Sequence, residues 1–122
     1  LLQRHFGVSK RQFPRFDLVL LELAADASVA AIFPGTRAVS DLSSTVLVYN
    51  VPQLSEERMT LGLSALNNAR AMLVVATGED RAGVLADVLN GPFQPSRLPA
   101  QALRPLEGTL HWFVDEAAAV RL

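Results

Sequence analysis

Phe16–Gly35, FDLVLLELAADASVAAIFPG, decides the reading of this chain. Its first part, Phe16–Leu21, is continuously apolar apart from Asp17, which is the pattern of a strand buried on both faces in a parallel sheet. Its second part, Ala24–Phe33, is rich in alanine, carries Asp26 near its start and runs into Pro34-Gly35. This predicts a short helix with Asp26 as its cap and the Pro-Gly pair as its stop. Strand, loop and helix in that order suit a site at a strand's carboxyl end, where open α/β sheets hold their ligands.

Working outward, Leu1, Leu2 and Phe6 fit one face of the last turns of a helix that Gly7 ends, and Val8–Arg15 reads as a polar connector. Thr45–Val51 reads as a strand closed by Pro52. Arg58–Leu61 is a short extended segment leading into a helix over Ser64–Arg70. Ala71–Ala76 (AMLVVA) is the clearest buried strand, broken by Thr77-Gly78. Val84, Leu85, Val88 and Leu89 then recur at helical spacing within Glu79–Leu89, with acids early and Gly91-Pro92 after. Gly91–Pro99, with three prolines, reads as a surface connector. Thr109–Val114 reads as a last strand, and Asp115 as the cap of a terminal helix over Glu116–Leu122. Strands alternating with helices give one α/β domain over residues 1–122, a layered and largely parallel sheet with flanking helices.

At 122 residues, half of them hydrophobic, the chain is long enough for one domain with a core of its own. A net charge of −1 gives no bulk attraction to nucleic acid or to an anionic membrane, and the basic residues, all arginine but Lys10, form no run. Neither partner is therefore expected. The absence of cysteine excludes disulfides, thiolate metal sites and cysteine nucleophiles, and agrees with a reducing, cytoplasmic setting. His5 and His111 have no metal-ligand spacing. No apolar run is long enough to span a bilayer.

Four pieces in order carry a resemblance to the 6-phosphogluconolactonases. Phe16–Gly35 is similar to the family's FDLVLLGMGxDGHTASLFPG. Glu57–Arg70, ERMTLGLSALNNAR, is similar to ERITLTLPALNAAR. Val74–Gly91, VVATGEDRAGVLADVLNG, is similar to LVTGxxKAxxLxxxLxG, and Leu98–Leu122 to LPAxxLRPxxGxLTWFLDxAAAxLL. The related glucosamine-6-phosphate deaminases share the glycine-histidine loop, but Phe33-Pro34-Gly35 and the Trp112–Asp115 close fit the lactonases better. The resemblance implies the carboxyl-terminal half of that fold, incomplete at its start, and a family reaction that hydrolyses 6-phosphoglucono-lactone to 6-phosphogluconate without metal or organic cofactor. The missing half would supply the first strand and a glycine-rich phosphate loop. Its absence implies an open sheet edge and an uncovered apolar face, hence a homo-oligomer or a partner chain over that edge.

The same alignment implies that the catalytic loop has lost its chemistry. Ser28 stands at the histidine proposed as general base, and Glu22, Ala24 and Ala27 stand where three glycines should be. An imidazole accepts a proton near neutral pH and an unassisted hydroxyl does not, and a lost general base costs about 10²–10⁴-fold in rate. Ser28 lies in no GxSxG elbow and reads as a small polar loop or helix-start residue. Asp26 matches the family's DGH aspartate. Arg58 matches an arginine implied to bind the sugar phosphate, for which a guanidinium's paired donors are suited; its other reading is a solvated residue ahead of a strand. Gln53 replaces a family lysine, and Arg81 replaces another on what is expected to be a helix surface. Glu22 would repel a phosphate. His111 reads as a packed or edge-strand histidine, His5 as exposed. The implied molecule is an impaired lactonase-like protein, with an interaction module or a sugar-phosphate binder as the alternatives.

Overall fold

A computed structural model describes residues 1–9 and 11–122. Lys10, inside the connector expected over Val8–Arg15, lies outside them. After a single helical turn, α1 (Leu2–His5), come strands β1 (Leu18–Glu22), β2 (Val46–Val51) and β3 (Glu56–Leu61). A short helix α2 (Leu63–Leu66), strand β4 (Ala71–Ala76), helix α3 (Ala82–Asn90), strand β5 (Thr109–Val114) and a final turn α4 (Glu116–Ala119) complete the chain. The parallel sheet has the order β1-β4-β5, and β2 and β3 form a separate antiparallel hairpin. The α/β class with a parallel sheet and flanking helices is the one expected.

Each element follows from its residues. In β4 the alternate side chains Met72, Val74 and Ala76 are buried, and in register they meet Val19 and Leu21 of β1 and Leu110, Trp112 and Val114 of β5. Leu85 and Val88 of α3, with Leu23, Ile32, Leu63 and Leu66, belong to the same core. Each such side chain contributes about 1.5–3 kcal/mol by leaving water. Gly62 is needed at the corner between β3 and α2, because a Cβ there would lie 2.0 Å from the Ser44 carbonyl oxygen. Asp115 caps α4 as expected, accepting a hydrogen bond from the Ala118 amide at 2.8 Å.

Six expectations need correction. Phe16–Leu21 is parallel-paired but not buried on both faces: β1 is an edge strand, and Leu18 and Leu20 are 56% and 66% exposed. The helix expected over Ala24–Phe33 does not form, and turns replace it. Asp26 therefore caps no helix. The helix expected over Ser64–Arg70 is one turn, because the chain must bend back to enter β4, and the terminal helix stops at Ala119. Arg81 sits in a 3₁₀ turn (Glu79–Arg81) that leads into α3, with its side chain folded back toward β1 rather than lying on a helix surface.

Candidate functional site at the carboxyl end of the first strand

The segment from Leu23 to Gly35 leaves β1 at the carboxyl end of the parallel sheet. The Leu23 amide still donates to the Val75 carbonyl at 2.9 Å, so the ladder runs one residue past the strand. The chain then closes a compact turn. Asp26 Oδ1 accepts from the Ser28 amide at 2.9 Å, and the Ala24 amide donates to the Ser28 carbonyl at 3.1 Å. This side-chain mimic of a backbone turn is what a short carboxylate does when no helix follows.

Next comes a two-residue turn, Val29-Ala30-Ala31-Ile32, closed by the Ile32 amide on the Val29 carbonyl at 2.7 Å. Ala30 and Ala31 both have positive φ, +50° and +55°, which is the geometry of a type I′ turn. Ala27, at one of the family's glycine positions, has φ +68°. Three alanines thus occupy a conformation that costs an L-residue about 1–2 kcal/mol each. Surrounding contacts hold them there.

Those contacts come from the hairpin on one side. Tyr49, Arg58 and Thr60 lie on the same face of β2 and β3, since Tyr49 is paired with Arg58 and Thr60 is two residues on. The Tyr49 hydroxyl donates to the Ala31 carbonyl at 2.9 Å, and the Thr60 hydroxyl donates to the Ala30 carbonyl. Gln53 Nε2 donates to the Pro34 carbonyl at 2.7 Å. From the other side, the Gly35 amide donates to the Ser96 carbonyl at 2.7 Å and the Ala100 amide to the Ala27 carbonyl at 3.2 Å. The Gly91–Pro99 connector is thereby part of the loop's support.

Ser28 is 6% exposed, and its hydroxyl has no hydrogen-bond partner among the described residues. Neither histidine stands beside it as a base. His5 is on α1, edge-on to Phe6, and His111 sits in the middle of β5 in register with Leu73, on the open face of the sheet. Arg58 shares the loop-facing side of the hairpin, with its guanidinium held by Glu56 at 2.6 Å. Glu22, at the mouth of the strand, lies 3.6 Å from Arg81, which also bonds Asp80 at 2.5 Å and reaches the Leu23 carbonyl at 3.4 Å. The hydrogen bond from Arg81 holds the Asp80 carboxyl below its ordinary value. The Arg81 guanidinium is pushed up, by Asp80 first and Glu22 less. The replacement carboxylate at Glu22 therefore meets a cation at once.

Sequence reasoning missed Tyr49 and Thr60. The signal was available: Tyr49 alternates with Leu47 and Val51 on the buried side of β2, and a buried phenol needs a partner for its hydroxyl.

A family model described as glucosamine-6-phosphate isomerases/6-phosphogluconolactonase matches residues 1–112. The chain is 36% identical over 126 residues to "Probable 6-phosphogluconolactonase 2" of Oryza sativa subsp. indica, covering 98% of this chain and 45% of that protein. It is 39% identical over 107 residues to the 6-phosphogluconolactonase of Rattus norvegicus, covering 87% of this chain and 41% of the relative. Among solved structures, the 6-phosphogluconolactonase of Trypanosoma brucei superposes with a TM-score of 0.76 at 31% identity, over 89% of this chain and 43% of its own. The devB protein superposes with a TM-score of 0.86 over 99% of this chain and 51% of its own, at 24% identity. The chain spans less than half the length of the relatives it matches in sequence.

Proposed function

The chain belongs to the glucosamine-6-phosphate isomerase/6-phosphogluconolactonase family, and from that premise we propose that it is a 6-phosphogluconolactonase-like unit that keeps part of a sugar-phosphate site without the hydrolytic step. The observation that carries this is Ser28. Opening a lactone needs a group that takes a proton from the attacking water as the carbonyl carbon is engaged. A serine hydroxyl with no base beside it is not such a group. The neighbouring Asp26 carboxylate accepts through Oδ1 from the Ser28 amide, where it shapes the turn.

Retained binding is supported by the hairpin. Arg58 is on the face that holds the loop, where a guanidinium suits a phosphate's oxygens. Binding should be weak, because a phosphate must compete with Glu56 for that guanidinium and Gln53 brings no charge. Calorimetry with 6-phosphogluconate is expected to give millimolar binding that Arg58→Glu removes, alongside lactone hydrolysis no faster than the spontaneous rate. Turnover above that rate, abolished by Ser28→Ala, would overturn the reading. A second reading, a non-catalytic assembly module, is favoured by one observation, the exposure of Leu18, Leu20 and Phe113 together on one face of the parallel sheet.

A further inference from the structure

The amino ends of the parallel strands, opposite the loop at Leu23–Gly35, hold a second concavity. Phe13 lies ahead of β1, Asn67 and Asn68 ahead of β4, and Leu106 ahead of β5. Together with Phe93 and Pro95 of the Gly91–Pro99 connector they line an open cleft of about 530 Å³. Clefts of about 300–1,000 Å³ hold small organic ligands. Phe13, Val39, Leu42, Leu63, Ala102 and Leu106 make the walls apolar. Leu42 and Leu106 are 64% and 84% exposed, so an apolar ligand would take their surface out of water.

The polar side chains of the cleft divide into two kinds. Ser64 Oγ donates to the Leu42 carbonyl at 2.7 Å, and Asn67 Nδ2 to the Ala102 carbonyl at 2.9 Å. Asn68 Nδ2 lies 3.2 and 3.1 Å from the carbonyls of Phe13 and Pro14. These bonds fasten walls drawn from distant parts of the chain, so the cleft is built before a ligand arrives. Arg104 is different. Its amide donates to Asn67 Oδ1 at 2.8 Å, while its guanidinium carbon lies 3.9 Å from the centre of the Phe93 ring. Among the described residues that guanidinium makes no ion pair and no hydrogen bond, whereas Arg58, Arg70, Arg81 and Arg97 each meet an acid. The ring positions the cation and leaves its N–H groups for an anion.

We propose that this cleft binds a small carboxylic acid with an apolar body, in the simplest case a medium-chain fatty acid, with its carboxylate on Arg104 and its chain against Leu63, Ala102 and Leu106. Charge complementarity selects the head group. Among the described lining side chains the uncommitted donors belong to one planar cation, whose fork matches two carboxylate oxygens. The walls select the body. A sugar's hydroxyls would leave water here without partners, and inorganic phosphate would gain nothing from leucines. The cleft and the sugar-phosphate site lie at opposite ends of the strands, so the lactone and 6-phosphogluconate assays neither support nor sink this inference.

The test is a titration of the chain with octanoate, followed by calorimetry and by amide shifts in nuclear magnetic resonance. A dissociation constant of about 1 mM or below is expected, with shifts at Leu63, Ala102, Arg104 and Leu106 and none over Leu23–Gly35. Arg104→Gln, at an exposed residue, should weaken octanoate at least about fivefold and leave octanol binding within about twofold. Leu106→Ser, also exposed, should weaken both ligands at least about threefold. An absence of saturable shifts at those residues, equal octanoate affinity in the parent and Arg104→Gln, or displacement of octanoate by equimolar inorganic phosphate overturns the proposal. So does a chain that sediments as a dimer dissociated by Leu106→Ser, which would give the cleft to a second copy.

Discussion

The hydroxyl of Tyr49 donates to the carbonyl of Ala31 at 2.9 Å, joining the hairpin to the turn after the candidate site. Tyr49→Phe removes that donor, leaves the ring in place and strands a carbonyl in a part-buried setting. A loss of about 1–2 kcal/mol is expected, read as a lower denaturation midpoint in urea with an unchanged slope.

The left-handed alanines give a prediction of opposite sign. At Ala31, φ +55° and half-buried, glycine relieves about 1–2 kcal/mol of strain and costs about 0.4–1 kcal/mol of extra freedom in the unfolded chain. Ala31→Gly should therefore stabilise by about 0.5 kcal/mol. Ala27→Gly should come out near neutral, because the Ala27 methyl is fully buried and its loss offsets the relief. Paired thermal and chemical denaturation of the two variants checks both signs.

Gln101 is a buried amide that fastens the connector to α3. Its Nε2 lies within hydrogen-bonding distance of the carbonyls of Asp87, Val88 and Pro92 at 3.0–3.3 Å, and its Oε1 accepts from the Gln94 amide at 2.7 Å. Gln101→Ala should cost about 2–3 kcal/mol, since buried polar groups lose their partner together. Faster proteolysis within Gly91–Leu98 is the local readout.

Asp41 organises the turn before β2. Its carboxylate accepts from the amides of Ser43 and Ser44 at 2.9 and 3.0 Å and from both hydroxyls. The Ser43 amide first, then the Ser44 hydroxyl, hold the carboxyl below its ordinary 3.8. A folded value below the unfolded one means the unfolded chain takes up the proton more readily. The contribution to stability is therefore whole above 3.8 and fades as pH falls through it toward the lower folded value. Asp41→Asn should be less stable than the parent at about pH 6 and approach it at about pH 3, measured by urea denaturation at each pH.

Strand positions were legible because short apolar runs such as Ala71–Ala76, bounded by Arg70 and Thr77-Gly78, fit strands better than helices. The parallel pairing of β1 was legible too, but not its exposure: a continuous apolar run looks the same whether a covering layer is present or elsewhere. Ala24–Phe33 misled for a different reason. Alanine favours helix when local preference decides, and here the hydroxyls of Tyr49 and Thr60, distant in sequence, hold the same residues in a left-handed turn. The position of Ser28 was readable by resemblance; its burial, and the Arg81 contact that meets Glu22, depended on contacts between residues far apart in the chain.

A loop whose path is imposed by its neighbours can change its side chains without changing its course. Between Leu23 and Gly35 the backbone is a cast, gripped by the hairpin and by the connector and anchored in the core by Leu23, Val29 and Ile32. Acid–base groups can leave such a cast one at a time while the chain still folds. By the same reasoning new ones can be grafted into it, with position 28 as the natural place to begin.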